Sequence, residues 1–328
     1  MSWFRRSVFG RLILRRIALG MLTLLLVSMV VFAATQILPG DAARAVLGRS
    51  ATPERLAQLR EQLHLDRPMV TQYGVWLANT LTGDLGLSLV NNRPVAAQVA
   101  PRVANSFMLL LLVGIVGIPP SILLGILAAV NRGRRTDTAI SVVALAVAAA
   151  PEFVVAIGLI VLLSTVVFHW FPPVSMIPPG TSVFARPKIL FLPVLTLVIV
   201  CFPYIFRMMR SSMIEVLDSD YMEMAKLKGL SAARLVFLHA LPNAIAPTIQ
   251  VIALTFAYLA GGVVLVEYVF GFPGIGQGMV NAVMTRDVPT IQFIVVLLAA
   301  FYIAINILAD VMAVVVTPRL RARAWQRP

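Results

Sequence analysis

The sequence is poor in charged residues and contains a single cysteine. Only 12% of its 328 residues are charged, whereas soluble domains carry about 25%. Because Cys201 has no second cysteine to pair with, an intrachain disulfide is excluded and the redox compartment is not indicated. Hydrophobic residues make up 59% of the chain and the mean hydropathy is +0.91. This composition excludes an ordinary soluble domain and predicts an integral membrane protein.

The sequence also lacks the motifs of common nucleotide-binding and hydrolytic sites. A P-loop needs Gly-Lys followed by Ser or Thr, but the only lysines are followed by Ile, Leu and Gly; they are Lys188, Lys226 and Lys228. Neither His-Glu-x-x-His nor Gly-x-Ser-x-Gly occurs, so a membrane protease is not indicated. We expect no catalytic residue and no cofactor in this chain, and any ATP hydrolysis must take place on separate subunits.

Potential metal ligands are few and scattered. The chain has 14 methionines and 3 histidines. Methionine is a common core filler, and His64 and His239 lie in two different polar segments. We therefore predict no metal site.

Long apolar runs separated by charged loops predict an all-α bundle of membrane helices. Six transmembrane helices can be placed, at about 15–37, 104–130, 138–168, 189–210, 246–267 and 291–316. A longer polar insert, 39–102, follows the first span, and a charged loop, 211–245, follows the fourth.

Basic residues are concentrated at both termini and in the loops after the second and fourth spans. The two short loops on the opposite side hold only Arg186, Lys188 and Arg286. The positive-inside rule therefore places both termini and the loop 211–245 in the cytoplasm. The net charge of +13 sets topology, and no nucleic-acid partner is predicted.

A cleaved signal peptide is the alternative interpretation of the N-terminus. The apolar stretch 17–34 is longer than a typical signal core, and no clear Ala-x-Ala site follows it. An uncleaved first span is favoured.

The insert 39–102 has the pattern of a folded segment. A helix is predicted to begin at Thr52-Pro53-Glu54, with an apolar face formed by Leu56, Leu59 and Leu63. A second apolar face is formed by Tyr73, Trp76 and Leu77, and Pro94-Val95 begins the helix that leads into the second span. A small cap at the membrane surface and a landing surface for an extracytoplasmic partner are equally compatible with this pattern.

The polar stretch 221–242 has a distinctive spacing. The pattern E-x-A-x3-G-x11-L-P is formed by Glu223, Ala225, Gly229, Leu241 and Pro242. It predicts a short helix over 221–228 and a special backbone conformation at the glycine. Ser231 is a candidate N-cap for a second short helix that ends near Pro242. Such a helix–glycine–helix elbow outside the bilayer is suited to docking a soluble partner.

This spacing resembles the EAA loop of ABC importer permeases, which sits in a cleft of the ATPase subunit. Met224 stands where the family has its first alanine, and His239 where it usually has isoleucine. The resemblance implies that the residues coupling to the ATPase are Tyr221, Glu223, Ala225, Gly229, His239, Leu241 and Pro242.

Two external motifs resemble one branch of that family, which imports dipeptides, oligopeptides and nickel. The insert matches its long periplasmic loop at 38–41, 51–54, 83–86 and 94–95. A second motif, E-x-x-F-x-x-P-G-x-G, begins at Glu267. The resemblance implies a periplasmic gate or binding-protein contact formed by Glu267, Phe270, Pro273, Gly274 and Gly276, together with Trp76.

The resemblance runs from about residue 11 to about residue 318 and implies a domain organisation. A cytoplasmic N-terminus with the first span (1–38) precedes the periplasmic helical insert (39–102). The importer core (103–318) contains the coupling loop 211–245, and a basic cytoplasmic tail (319–328) follows.

The implied function is that of a permease subunit moving di- or oligopeptides across the bacterial cytoplasmic membrane. The implied partners are a second homologous permease, two ATPase subunits that bind ATP and Mg²⁺, a periplasmic or lipid-anchored substrate-binding protein, and membrane lipid. The same machine for nickel, glutathione or another small solute is one alternative. A stand-alone channel or secondary transporter is an alternative of a different class.

Glu152 is an acid deep in the predicted third span. It lies about 22 Å from the cytoplasmic end at 1.5 Å per residue. An acid at this depth often faces a water-filled path, where it would meet the amino terminus of a peptide or a cation. A structural hydrogen bond to a neighbouring helix and a protonated, uncharged acid are the competing interpretations.

Overall fold

The computed structural model describes residues 2–37, 52, 68–178 and 186–316. These residues are almost entirely helical. The helices are α1 (Ser2–Ile37), α2 (Met69–Thr82), α3 (Val95–Val130), α4 (Arg135–Ala149), α5 (Glu152–Ile160), α6 (Pro187–Leu217), α7 (Asp220–Leu227), α8 (Ala232–Arg234), α9 (Leu241–Val269), α10 (Ile275–Met284) and α11 (Val288–Val316). A π-helical segment, Val161–Thr165, extends α5, and another, Leu235–Ala240, joins α8 to α9. The predicted helix after Thr52 and the tail 319–328 lie outside the described residues.

Five segments of the described residues are long and apolar enough to cross a membrane. They are Ile13–Gln36, Val95–Val130, Pro187–Leu217, Ala232–Leu259 and Val288–Met312. Two sharply bent helix pairs, Arg135–Ala149 with Glu152–Thr165 and Gly261–Phe270 with Ile275–Met284, raise the number to seven if each pair counts as one span. The all-α membrane architecture predicted from the sequence is confirmed.

The prediction of one continuous helix over 138–168 is wrong. The chain bends by 104° between α4 and α5, because Pro151 follows Ala150, whose backbone is extended. The residue before a proline is pushed out of the helical region, and proline itself cannot donate to the preceding turn. The break places Glu152 in the first turn of α5.

Close packing of α3, α6 and α9 forms the centre of the protein. A Cβ atom added to Gly125 of α3 would lie 2.8 Å from the Met209 Cβ of α6, so glycine lets the two helices approach closely, as small residues do in membrane bundles. The apolar core between the helices includes Leu109, Val113, Leu197, Ile205, Leu259 and Val263. This triad of helices connects the two ends of the molecule.

Helix α1 packs on α11 at the periphery. The Gln292 amide donates to the Thr35 hydroxyl at 2.8 Å, and Arg16 pairs with Asp310 at 3.1 Å. Between these two contacts, Gly20 lies against Ile303. Polar contacts at both ends therefore fix the position of α1 along α11.

One buried ion pair joins the start of α4 to α6. Arg210 donates to Asp137 from Nε at 2.6 Å and from a terminal nitrogen at 2.8 Å. The same carboxylate accepts a bond from the Gly133 backbone, and Asp137 is only 4% exposed. The pair fixes where the chain enters α4 after the loop 131–134.

Breaking this pair should destabilise the protein. Asp137→Asn removes the charge and one acceptor while Arg210 remains, which should lower the free energy of unfolding by about 1–3 kcal/mol. Thermal unfolding of the purified protein in detergent would measure the loss. Arg132→Ala, which breaks the exposed pair of Arg132 with Asp218, is the matched control and should cost less than about 1 kcal/mol. Equal losses in both variants would contradict the structural role of Asp137.

Candidate functional site: an elbow, a capped turn and a buried acid

The predicted elbow is present between α7 and α8. Helix α7 occupies Asp220–Leu227, close to the predicted 221–228. Gly229 adopts φ +76°, a left-handed conformation that favours glycine. Ser231 precedes α8 in an extended conformation at the N-cap position, without a side-chain capping bond.

The second half of the elbow differs from the prediction. Instead of ending near Pro242, the helix continues from Ala232 through a π-helical segment into α9. Pro242 falls within the first two positions of α9, and the π-helical segment Leu235–Ala240 precedes it. The second arm of the elbow is therefore the beginning of a membrane helix and not a separate short helix.

The two halves of the elbow are held by one side chain and by apolar contacts. The Tyr221 hydroxyl donates to the His239 carbonyl at 2.7 Å. Met222 and Ala225 are buried in a cluster with Met209, Met213, Leu235 and Ala240. One face of α7 is therefore fixed to α6 and to the segment that leads into α9.

The opposite face of α7 is exposed and partly apolar. Leu227 is 76% exposed and Met224 is 59% exposed. Glu223 lies beside them and is also exposed. The elbow thus presents a small apolar surface with a carboxylate, in a form suited to insertion into a cleft of a partner.

The second motif forms a bend between α9 and α10. The two helices meet at 77°, and Gly271, with φ +61°, supplies the left-handed residue. Gly274, which belongs to the sequence motif, has an extended backbone instead. A Cβ on Gly274 would overlap the Glu267 carboxylate, and one on Gly276 would overlap the Val264 backbone, so these glycines are required by close approach.

The Glu267 carboxylate caps α10. It accepts bonds from the Gly276 N–H at 2.7 Å and from the Gln277 N–H at 3.4 Å. Ser106 donates its hydroxyl to the same carboxylate and accepts the Ile275 N–H at 2.8 Å. A negative group at a helix N-terminus satisfies free N–H groups and is stabilised by the helix dipole.

Two further side chains of α3 bind the bend. The Asn105 amide donates to the Pro273 carbonyl at 2.9 Å. Arg102 donates to the Gly274 carbonyl and to the Gln277 side chain, both at 3.2 Å. With Ser106, these residues form an i, i+3, i+4 set on one face of α3. These three residues were not predicted as part of the site, although polar residues at that spacing beside the start of a span could have indicated a shared contact.

The predicted gate residues are mostly inside the protein. Glu267 and Phe270 have no exposed surface, and Gly274 and Gly276 are buried. Pro273 is partly exposed. Trp76 of α2 packs on Phe32 of α1, with ring centroids 5.6 Å apart, and Tyr73 bonds Ser28 at 2.8 Å. Glu267 and Phe270 therefore belong to the packing of the bend between α9 and α10, and Trp76 packs α2 against α1.

A short hairpin before α3 is tied to α11. Leu87 and Pro94 form an antiparallel bridge, and Gly86 at the entry has φ +73°. The Asp287 carboxylate accepts bonds from the Ser88 hydroxyl at 2.5 Å and from the Leu89 N–H at 3.1 Å. The described end of the insert and the α10–α11 connection are therefore bound to each other.

Glu152 lies at the junction of α5 and α9. It is 9% exposed, and its Oε1 has no hydrogen-bond partner among the described residues. A Cβ on Gly262 would lie 2.7 Å from both carboxylate oxygens, so the carboxylate rests against the α9 backbone. The acid borders an open groove that is also lined by Ala257, Tyr258, Gly261, Gly262, Leu265 and Tyr302.

Removing the Glu267 cap should loosen α10. In Glu267→Ala, the Gly276 and Gln277 N–H groups lose their acceptor, at a cost of about 1–3 kcal/mol per buried unsatisfied group. Hydrogen–deuterium exchange should become faster over 275–284. Asn281→Ala, at an exposed position of the same helix, should leave exchange unchanged. Unaltered exchange in Glu267→Ala would show that the carboxylate does not stabilise α10.

Two family models together match most of the chain. Residues 121–322 match the binding-protein-dependent transport system inner membrane component, and residues 9–110 match the N-terminal part of a binding-protein-dependent transport system membrane component. The first match includes the elbow, the capped bend and Glu152. The second includes α1, α2 and the hairpin.

Curated relatives align over nearly the whole chain. A putative peptide transport system permease of Brucella abortus is 36% identical over 310 residues, covering 94% of this chain and 98% of the relative. A probable peptide ABC transporter permease of Sinorhizobium fredii is 35% identical, covering 95% and 99%. A glutathione transport system permease of Escherichia coli is 35% identical, covering 91% and 95%. The chain belongs to the family of binding-protein-dependent transport system inner membrane components, the permease subunits of ABC importers.

Proposed function

We propose that this chain is one of two permease subunits of an ATP-driven importer that moves di- or oligopeptides across the bacterial cytoplasmic membrane. The elbow is the observation that carries the proposal. Its buried face is fixed to α6 and α9, while Met224 and Leu227 are left exposed. Relatives named as peptide permeases match 94% and 95% of the chain, which favours peptides as the cargo.

The elbow is the element that couples the permease to the ATPase. Each chain has one elbow, and two ATPase subunits that bind ATP and Mg²⁺ would each receive one. The positive-inside pattern places the elbow and both termini in the cytoplasm. A stand-alone channel or secondary carrier would have no use for such a surface.

The path for cargo runs between this chain and a second, homologous permease. The groove at Glu152 is open on one side and has a volume of about 370 Å³, within the range of small-molecule sites. Tyr258, Leu265 and Tyr302 are each about half exposed there. A second subunit facing this groove would complete a closed path.

Helix α9 links the coupling elbow to the external bend. Its 29 residues, Leu241–Val269, correspond to about 43 Å at 1.5 Å per residue. When ATP draws the two ATPase subunits together, the elbows approach each other and α9 carries the displacement outward. The path opens to the outside, receives cargo from the binding protein, and returns to the inward state after hydrolysis.

The external layer is the surface for the substrate-binding protein. It combines α2, the hairpin at 87–94 and α10. Its exposed apolar side chains include Val70, Leu81, Val90 and Met284. Glu267 and Phe270 are buried beneath this layer and support it. They therefore act on the gate by holding its elements in place, and not by direct contact with the binding protein.

Glutathione is the second candidate cargo, because a glutathione permease matches at nearly the same identity as the peptide permeases. Glutathione is itself a tripeptide with a free amino group. The shape of the external layer does not discriminate between the two, since the binding protein selects the cargo before it reaches the permease.

Gly229 should be essential for coupling. Gly229→Val forces a β-branched residue into a left-handed conformation at a cost of about 1–2 kcal/mol or more, although nothing lies within 4 Å of the added Cβ. The variant should insert into the membrane but lose ATPase association, measured by co-purification, and transport. Gly229→Asn is the control, because asparagine tolerates positive φ, and it should retain most activity. Wild-type coupling in Gly229→Val would contradict the role of the elbow.

Reconstitution tests the function itself. The purified chain alone should not take up labelled dialanine into liposomes. The complex with its second permease and ATPases should do so when ATP and binding protein are present. Uptake by the single chain would contradict the assembly, and ATP-dependent uptake of a different solute in place of peptides would redefine the cargo.

A further inference from the structure

The buried acids of the described residues differ in how their charges are compensated. Asp137 is paired with Arg210, Glu267 caps α10, and Asp287 accepts bonds from the hairpin. Glu152 alone among these four has a buried carboxylate oxygen with no hydrogen-bond donor. Burying a charge without a donor is costly. A ligand that donates hydrogen bonds and carries positive charge would remove that cost.

The groove beside Glu152 has the chemistry of a cation site. Two of its seven lining residues are tyrosines, Tyr258 and Tyr302, and none is basic. Tyr258 lines the groove together with Glu152, and its ring lies next to the Tyr204 ring, with centroids 6.5 Å apart. Aromatic faces beside a carboxylate attract ammonium groups through both charge and cation–π interactions.

The backbone around the groove leaves room for such a group. Gly262 brings α9 against the carboxylate, whereas a Cβ on Gly261 would meet nothing within 4 Å. The open volume therefore begins next to the acid. A transition metal would need several strong ligands, and this groove supplies one carboxylate and phenol side chains, so an ammonium ion fits better than a metal ion.

We propose that the groove at Glu152 binds the protonated amino group of the cargo during translocation. The inference rests on the proposed import function and names the part of the cargo that the permease itself contacts. The carboxylate receives the N–H bonds that it lacks in the free protein, and Tyr258 and Tyr302 flank the charge. Dipeptides, longer peptides and glutathione all present this group, so one site would serve cargoes of different length.

Thiol labelling at the position of Gly261 tests the site directly. A thiol is introduced by Gly261→Cys in a Cys201→Ala background, and the assembled complex is treated with a cationic and an anionic methanethiosulfonate reagent. The cationic reagent should react about tenfold faster than the anionic one, because the Glu152 charge lies near the thiol. Adding Glu152→Gln should bring the ratio of the two rates close to one.

Gly74→Cys in the same background is the matched control. Gly74 is exposed on α2, with nothing within 4 Å of an added Cβ, and it lies on a different helix from the groove. Glu152→Gln should leave the rate ratio of the control thiol unchanged. A ratio in the Gly261→Cys variant that does not depend on Glu152 would overturn the proposal.

Protection by cargo identifies the group that binds. Dialanine should slow labelling of the Gly261→Cys variant, whereas N-acetyl-dialanine, which lacks the charged amine, should not. Protection by glutathione and not by dialanine would keep the ammonium site and change the cargo. Equal protection by dialanine and its N-acetyl form, or none by any of the three, would overturn the proposal.

A Gly261→Cys thiol that neither reagent reaches in the assembled complex would also overturn the proposal, since the second permease would then fill the groove. The labelling requires neither ATP nor binding protein. A failure of the import function would appear separately, as absence of ATP-driven uptake by the wild-type complex with the labelling pattern of the variants intact.

Discussion

A buried carboxylate is central to the bend between α9 and α10, at one end of this protein. Glu267 accepts the N–H groups of Gly276 and Gln277 in the first turn of α10. Ser106 of α3 accepts the Ile275 N–H and donates its hydroxyl to the same carboxylate. Within a membrane protein, free backbone N–H groups have no water to bind and must find partners in the chain. The bend between α9 and α10 exists because this carboxylate satisfies them. Asn105 and Arg102 of α3 support the same bend, and Asp287 ties the connection between α10 and α11 to the hairpin.

Helix α9 joins the capped bend to the elbow. One end of α9 continues from the elbow, whose Met222 and Ala225 are fixed to the central helices, and the other end carries Glu267. The elbow and the capped bend are therefore joined by one helix, Leu241–Val269. Gly262 lies between the two ends and contacts Glu152, so the same helix also lines the groove that we assign to the cargo amine.

Much of this protein follows from local sequence. The left-handed Gly229, the short helix before it and the start of α3 after Pro94 agree with the prediction, because each depends on a few neighbouring residues. The break at Pro151 also had a local signal, since proline disfavours a helical residue before it. The break was not predicted, because the apolar pattern continues across the proline. The continuation of α8 through Pro242 was missed because proline usually ends a helix. Here the π-helical segment Leu235–Ala240 precedes it, and such local adjustments let a membrane helix accommodate proline.

The sequence by itself determined that this is a helical membrane protein that carries the elbow motif at 221–242 and the E-x-x-F-x-x-P-G-x-G motif that begins at Glu267. Only the tertiary structure decided what the motif residues do. Glu267 binds N–H groups nine and ten residues away, but its bond to Ser106 joins residues separated by 161 positions. Likewise, the contact of Glu152 with Gly262 and the packing of Trp76 on Phe32 bring together residues of different helices. Periodicity and spacing describe one helix at a time, whereas such contacts depend on how the helices pack against one another.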